Sequence, residues 1–292
     1  MKKQFIKGYI CVIASAVIFG LMPLMAKFIY QEGVNPPTLV ILRNIISIPF
    51  LAVLAFLTKA PLKINKKALP NISLIAVMGC CVTPLLLFYS YKHIPSGTAT
   101  VFHFIYPAAV VIGEFVFLKS KIKATHIISV LICVAGICLF YNPNDKINLS
   151  GSLLALLSGF TYATYVLLLS GFRHKEISGF TFSFYVALIC SIVMMIICII
   201  TKQLMLPVSL KGWLWAVIFA VSLNVGAVVL FQKGTFLIGG SRASILSTFE
   251  PITSIFAGIL IFNEAINVFT AIGALLVITA SVLIATSDMK KS

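Results

Sequence analysis

The sequence predicts an all-α membrane protein, with ten transmembrane helices in two inverted five-helix repeats around a central cavity. Composition is the first reason. The 292 residues are 60% hydrophobic and 10% charged, with a mean hydropathy of +1.10, whereas soluble domains are roughly one quarter charged. The second reason is run length. Apolar residues come in stretches of about 20, enough to cross the hydrocarbon core as helices, with none of the ten-residue alternation of an outer-membrane barrel. Helices also satisfy their own backbone polar groups within lipid. The third reason is a repeated layout. Residues 94–141 and 238–285 each hold two apolar runs around a polar hinge, at Lys119 to Lys123 and at Asn263-Glu264. A shift of 144 positions carries Ala99 onto Ala243 and Pro107 onto Pro251. Few identities accompany it, so the repeat rests on layout.

Ten runs follow in order: 8–30, 36–57, 71–91, 97–117, 122–141, 151–171, 179–200, 211–232, 241–262 and 267–286. The opening Met1-Lys2-Lys3, with Ala14-Ser15-Ala16, imitates a signal peptide. The apolar stretch continues well beyond that point, so a retained first helix is expected. Short connections leave no room for a soluble domain, and the repeats are expected at 1–145 and 146–292.

The net charge of +15 does not point to nucleic acid, because the basic residues sit in short loops between runs. With the N-terminus in the cytoplasm, Lys2, Lys3, Lys7, Lys59, Lys63, Lys66, Lys67, Lys119, Lys121, Lys123, Arg173, Lys175, Lys233, Arg242, Lys290 and Lys291 lie inside. Only Lys92, Lys146, Lys202 and Lys211 lie outside. This asymmetry places both termini in the cytoplasm of a multi-pass plasma (inner) membrane protein. Tyr30, Tyr91, Tyr141, Trp213 and Trp215 then form an outer aromatic belt. Five runs per half, an odd number, require the second half to enter with opposite orientation. Gly8 and Ser15 matching Gly151 and Ser158 extend the duplication to runs 1 and 6. Inverted repeats of this kind are a transporter architecture.

Ionisable groups within apolar runs are costly and therefore candidates for function. Glu250 lies roughly 14 Å into run 9 at about 1.5 Å per residue, next to Pro251, which frees a carbonyl near Leu246 or Ser247. It is a candidate for substrate binding or proton coupling; an interhelical hydrogen bond is the structural alternative. His103, roughly 9 Å into run 4, titrates near neutrality and is a second candidate. Tyr106 is the repeat counterpart of Glu250 and shares a helix face with His103. Lys27 and Arg43 lie near the outer boundary, where long basic chains reach headgroups, and are candidates for binding. Glu114, eleven residues after His103 and on the same side, is expected to snorkel or to pair with Lys119 or Lys121 rather than to serve the site. Uncharged candidates are Thr83, Pro84 and Tyr89 on run 3, Tyr162 and Tyr165 on run 6, and Asn224 and Gln232 on run 8. Asn224 is placed to bridge helices. The seven cysteines fall within runs without metal spacing. Phosphate-binding loops and metal-hydrolase motifs are absent. No cofactor, no metal and no enzymatic activity are expected.

Residues 231–285, with Gly240-Ser241-Arg242-Ala243, Phe249-Glu250-Pro251, Asn263-Glu264 and a small-residue last run, resemble the EamA-type domain of the drug/metabolite transporter superfamily. The first half is similar through Pro95-Ser96-Gly97-Thr98-Ala99, Tyr106-Pro107, Gly136 and Arg43. The resemblance implies a cavity lined mainly by runs 1, 3, 4, 6, 8 and 9, and secondary transport of small metabolites, often amino-acid export. The first copy departs from the pattern: Ser120 stands opposite Glu264, and Glu114 opposite Gly258.

The leading expectation is export of amino acids by alternating access, with a small-molecule substrate, surrounding membrane lipid, protons as a coupling ion, and a monomer or homodimer as the unit. Efflux of cationic or aromatic drugs is the alternative. A membrane-embedded enzyme or scaffolding subunit is the alternative of another class.

Overall fold

A computed structural model describes residues 2–94, 96–119, 123–139, 148–172, 177–262 and 268–289, and these form helices without any strand. Seven helical rods are long and apolar enough to cross a membrane: Gln4–Gln31, Pro36–Leu57, Lys66–Ser90, Thr98–Leu118, Leu149–Ser170, Gly179–Thr201 and Leu210–Ile238. They coincide with runs 1 to 4 and 6 to 8. Run 5 is the shorter apolar helix Ala124–Cys138. Run 9 comprises Gly240–Leu246 and Phe249–Phe262, and run 10 is Val268–Met289. The hinge residues Ser120, Lys121, Asn263 and Glu264 lie outside the described residues. So do Pro95, Tyr141, Lys146, Arg173, Lys175, Lys290 and Lys291.

Local chemistry sets the ends of these helices, and it repeats between the halves. Helix starts carry orphan N–H groups that a short polar side chain satisfies. Asn65 accepts from Lys67 N at 3.0 Å, and 144 positions later Ser209 accepts from Gly212 N at 3.1 Å. Runs 2 and 7 each stop at a lysine in the left-handed region, Lys59 at φ 54° and Lys202 at φ 52°.

The interior of the runs is interrupted in matched places. Runs 3 and 8 contain π-helical segments, Val77–Val82 and Val221–Val228. Runs 4 and 9 are both broken one turn before a proline, at Phe104-Ile105 and at Ser247-Thr248. Proline lacks the N–H that would bond the carbonyl four residues earlier. Pro23, Pro84, Pro107 and Pro251 therefore release the carbonyls of Phe19, Cys80, His103 and Ser247. New partners take two of them: Cys190 Sγ donates to Cys80 O at 3.1 Å and Glu250 N to Ser247 O at 2.9 Å.

Packing follows the same exchange. Run 1 packs on runs 8 and 9, and run 6 packs on runs 3 and 4. Run 2 packs on run 7, run 4 on run 9, and run 5 on run 10. Exchanging each run with the one five places away returns the same set of contacts, as a two-fold relation between halves requires. Small residues permit the closest approaches. A Cβ at Gly136 of run 5 would stand 2.8 Å from Gly273 O of run 10, and one at Gly234 of run 8 would stand 2.3 Å from Val12 of run 1.

Candidate functional site

At the level of the π segments and the breaks, runs 1, 2, 3, 4, 6, 8 and 9 line a cavity of about 50 Å³. That is room for a few water molecules, far below the roughly 300 Å³ of a small-molecule pocket. Its walls come in repeat-related pairs. Phe19 and Tyr162, and Met22 and Tyr165, are 143 positions apart; Pro84 and Val228, and Leu87 and Phe231, are 144 apart. All eight side chains line the space, so the cavity sits on the two-fold relation between the halves.

Three ionisable side chains break that symmetry. Glu250 comes from the first turn of the helix Phe249–Phe262, where the unpaired N–H groups of a helix start favour a carboxylate. It lines the cavity, as does the counter-charge, Arg43, which is only 3% exposed. The two are not ion-paired with one another. Arg43 is held from across the repeat boundary. Its Nε donates to Asn224 Oδ1 at 3.0 Å, while Asn224 Nδ2 donates to Arg43 O and Asn44 Oδ1, each at 2.9 Å. This grip uses Nε and leaves the terminal guanidinium nitrogens for other acceptors, the fork that suits a carboxylate.

His103 ends the helix Ser96–His103. Ser158 Oγ donates to Ala155 O at 2.6 Å, so the 2.8 Å contact between His103 Nδ1 and Ser158 Oγ must be donated by the histidine. The neutral ring therefore carries its proton on Nδ1 and keeps Nε2 as an acceptor. Around it stand Tyr106 at 5.3 Å and Tyr162 at 5.5 Å between ring centroids. Tyr162 continues the aromatic wall to Tyr106 at 4.7 Å, Tyr165 at 5.4 Å and Phe231 at 5.8 Å. The Tyr106 hydroxyl is buried and faces the Ser247 hydroxyl. It lies, with Tyr162, within electrostatic reach of Glu250. Gly79 lets this wall form, since a Cβ there would stand 2.2 Å from the Tyr165 ring.

The structure thus brings Glu250, His103, Arg43, Tyr162 and Tyr165 to one cavity, with Thr83 and Pro84 beside them. Tyr106 packs behind His103 and Tyr162, and Asn224 anchors Arg43. Two candidates stand elsewhere. Tyr89 donates its hydroxyl to Gln203 Oε1 at 2.8 Å, joining run 3 to the connection between runs 7 and 8. Lys27 is exposed on the C-terminal part of run 1. Arg43 is buried in the cavity wall, where a headgroup-reaching side chain was the sequence alternative. Glu114 accepts from Gly240 N, Ser241 N and Ser241 Oγ in run 9, so backbone and hydroxyl donors hold it; Lys121 lies outside the described residues. Gln232 receives a 2.6 Å bond from Ser183 Oγ. Sequence reading missed Phe19, Met22, Leu87 and Phe231. Shifting Tyr162 and Tyr165 back by 143 positions would have found the first two.

The family model for the EamA-like transporter family matches residues 6–142 and 149–286. The chain belongs to the EamA-like transporter family. As an EamA protein it is a membrane transporter with a two-repeat architecture. It is 27% identical to the uncharacterized transporter YcbK of Bacillus subtilis, over 91% of this chain and 88% of that one. It is 23% identical to the uncharacterized inner membrane transporter YicL of Salmonella typhimurium, over 98% and 97% of the two chains. A solved crystal structure has a similar fold, with a TM-score of 0.75 and 15% identity over 94% of this chain and 96% of that one.

Proposed function

We propose that this EamA-family transporter exports amino acids by secondary active, proton-coupled alternating access. The observation that carries the substrate class is the pairing of opposite charges in one cavity. Arg43 and Glu250 line the same small space without neutralising each other. A zwitterion presents a carboxylate to the first and an ammonium to the second, so each buried charge gains the partner it lacks, which offsets its desolvation. The aromatic wall and the Nε2 acceptor of His103 complete the site, with His103 or Glu250 as the proton carrier. The transport unit is ten helices in two inverted repeats, 1–145 and 146–292. It sits in the plasma (inner) membrane with both termini cytoplasmic, as a monomer or homodimer. At about 50 Å³ the cavity is too small for an amino acid, so the cycle must widen it, and inverted repeats do this by rocking against each other.

Counterflow in proteoliposomes tests the reading. Vesicles loaded with an unlabelled amino-acid mixture should accumulate a labelled amino acid, and the rate should change with pH on either side. Accumulation of none of the twenty, together with uptake of lipophilic cations, would replace it with the second reading, efflux of cationic or aromatic compounds. That reading is favoured by one specific observation, the row of Tyr106, Tyr162, Tyr165 and Phe231 beside a single carboxylate.

A further inference from the structure

The chain has only seven acidic residues, and the three whose side chains are described occupy three levels of the bundle. Glu250 is in the cavity. Glu114 ends run 4 at the extremity that also holds Phe5 and Arg242, whose guanidinium lies 5.5 Å from the Phe5 ring. Its carboxylate accepts from Gly240 N at 3.0 Å, from Ser241 N at 3.2 Å and from Ser241 Oγ. Glu32, at the end of run 1 on the opposite extremity, accepts from Ser209 Oγ at 2.5 Å, and its carbonyl accepts from Val208 N at 3.4 Å.

Both contacts have the same form. A carboxylate from the first repeat reaches across to the start of a helix in the second, run 9 in one case and run 8 in the other. Both receiving helices line the cavity. Both joints are built around a glycine. A Cβ at Gly240 would stand 2.8 Å from Glu114 Oε1 and 2.3 Å from Ser170 Oγ, and one at Gly212 would stand 2.9 Å from Glu32 Cβ. The cavity between them is about 50 Å³.

We infer that Glu114 and Glu32 are the two gate residues of transport, each closing one end of the cavity by latching the first repeat to a helix of the second, and that both are engaged here in an occluded state. Opening either end moves run 9 or run 8 away from its carboxylate, so the corresponding bonds must break in each half-cycle. The two latches differ in strength. Glu114 is held by three donors at one site. Glu32 has one side-chain donor and is helped by neighbouring bonds, with Asn35 Nδ2 and Thr38 Oγ1 both donating to Gln203 O, at 2.7 and 3.1 Å. The inference rests on the alternating-access part of the proposed function and on no substrate assignment.

Cys80 is a native reporter, since it lines the cavity and is 3% exposed. Full-length protein in vesicles of each orientation is treated with a membrane-impermeant maleimide, and modification of the Cys80 peptide is followed by mass spectrometry. Glu114→Gln, which keeps the shape but weakens acceptance from three donors, should raise labelling severalfold from the Glu114 end only. Glu32→Gln should do so from the Glu32 end only, and Ser241→Ala should give an intermediate rise from the Glu114 end. Gly240→Ala should match or exceed Glu114→Gln, and if it fails to reach the membrane the two glutamine variants still decide. Labelling unchanged by both glutamine substitutions, or increased from the wrong end, would overturn the inference. Counterflow measured in parallel separates the two claims. Wild-type transport with unchanged accessibility removes the latches and leaves alternating access standing, whereas no transport of any solute removes the reading beneath them.

Discussion

The two halves of the chain contribute the same shape to the cavity and different charge. Phe19 with Tyr162, Met22 with Tyr165, Pro84 with Val228 and Leu87 with Phe231 face one another across the repeat relation. The π segments, proline breaks and left-handed lysine stops recur as well. The polar positions do not. Tyr106 answers Glu250, His103 answers Ser247, Cys80 answers Asn224, and Arg43 stands where the second half has the buried Val186. Shape must be shared if the halves are to exchange conformations, because each has to fit the other's role. Charge need only be supplied once if, as the proposed cycle requires, both conformations bind one substrate at one place.

The comparison is broken most severely by removing the charge that only the second half supplies. Glu250→Gln is nearly isosteric and leaves the paired walls intact. Losing a desolvated charge partner costs about 2 kcal/mol or more, so amino-acid binding should weaken by about 30-fold or more. Titration of substrate against thermal stability in detergent measures this, and unchanged affinity would remove Glu250 from the site. Next in size is Arg43→Lys, which keeps the first half's charge and loses the fork. The lysine still offers one charged donor, and losing the second costs about 1.5 kcal/mol, so affinity for amino acids should fall roughly tenfold. Affinity for the matching amine without a carboxylate should stay unchanged. Equal losses for both ligands would mean that Arg43 supports the fold alone.

The extent to which this arrangement is legible from sequence depends on how local its cause is. The runs, the prolines at 107 and 251 and the Tyr106–Glu250 correspondence are set by composition and spacing along the chain. They agree with the helices and breaks observed. Arg43 was harder, because its depth along run 2 suggests a headgroup-seeking side chain. What draws it inward is Asn224, 181 residues away, and no local pattern announces that partner. Glu114 shows the same limit: lysines lie near it in sequence, but the donors observed on it come from Gly240 and Ser241. Tyr89 is aromatic and on a cavity-lining run, yet it lies near the helix end, where Gln203 captures it. The π segments carry no sequence signal that single-chain periodicity can detect, since one widened turn shifts the lining face without changing composition.

Asn224→Leu tests whether the second half serves the first half's charge. The substitution keeps the branched heavy-atom outline of the side chain and removes the acceptor of Arg43 Nε and the donor to Asn44 Oδ1. Leaving such buried groups unpaired costs about 1–3 kcal/mol, so the thermal midpoint should drop. Amino-acid affinity should fall only severalfold, because the guanidinium is still present but less well aimed. Asn224→Asp should restore the acceptor and much of the affinity, which a purely structural role would not require. Loss of stability with affinity unaltered would separate Asn224 from the site.

The smallest effect is expected where the halves are most alike. Phe19→Tyr places the Tyr162 side chain at its counterpart in the first half. Phe19 lines a space with room for a few waters, so the added hydroxyl can be hydrated and carries no unsatisfied-donor penalty. Its ring keeps the packing that the paired walls share. Amino-acid affinity should change by no more than about threefold, or roughly 0.6 kcal/mol, with counterflow rates to match. A tenfold loss from one hydroxyl would mean that the two walls are not interchangeable in shape. The division of labour between shared shape and single charge would then fail at the position where it makes its mildest demand.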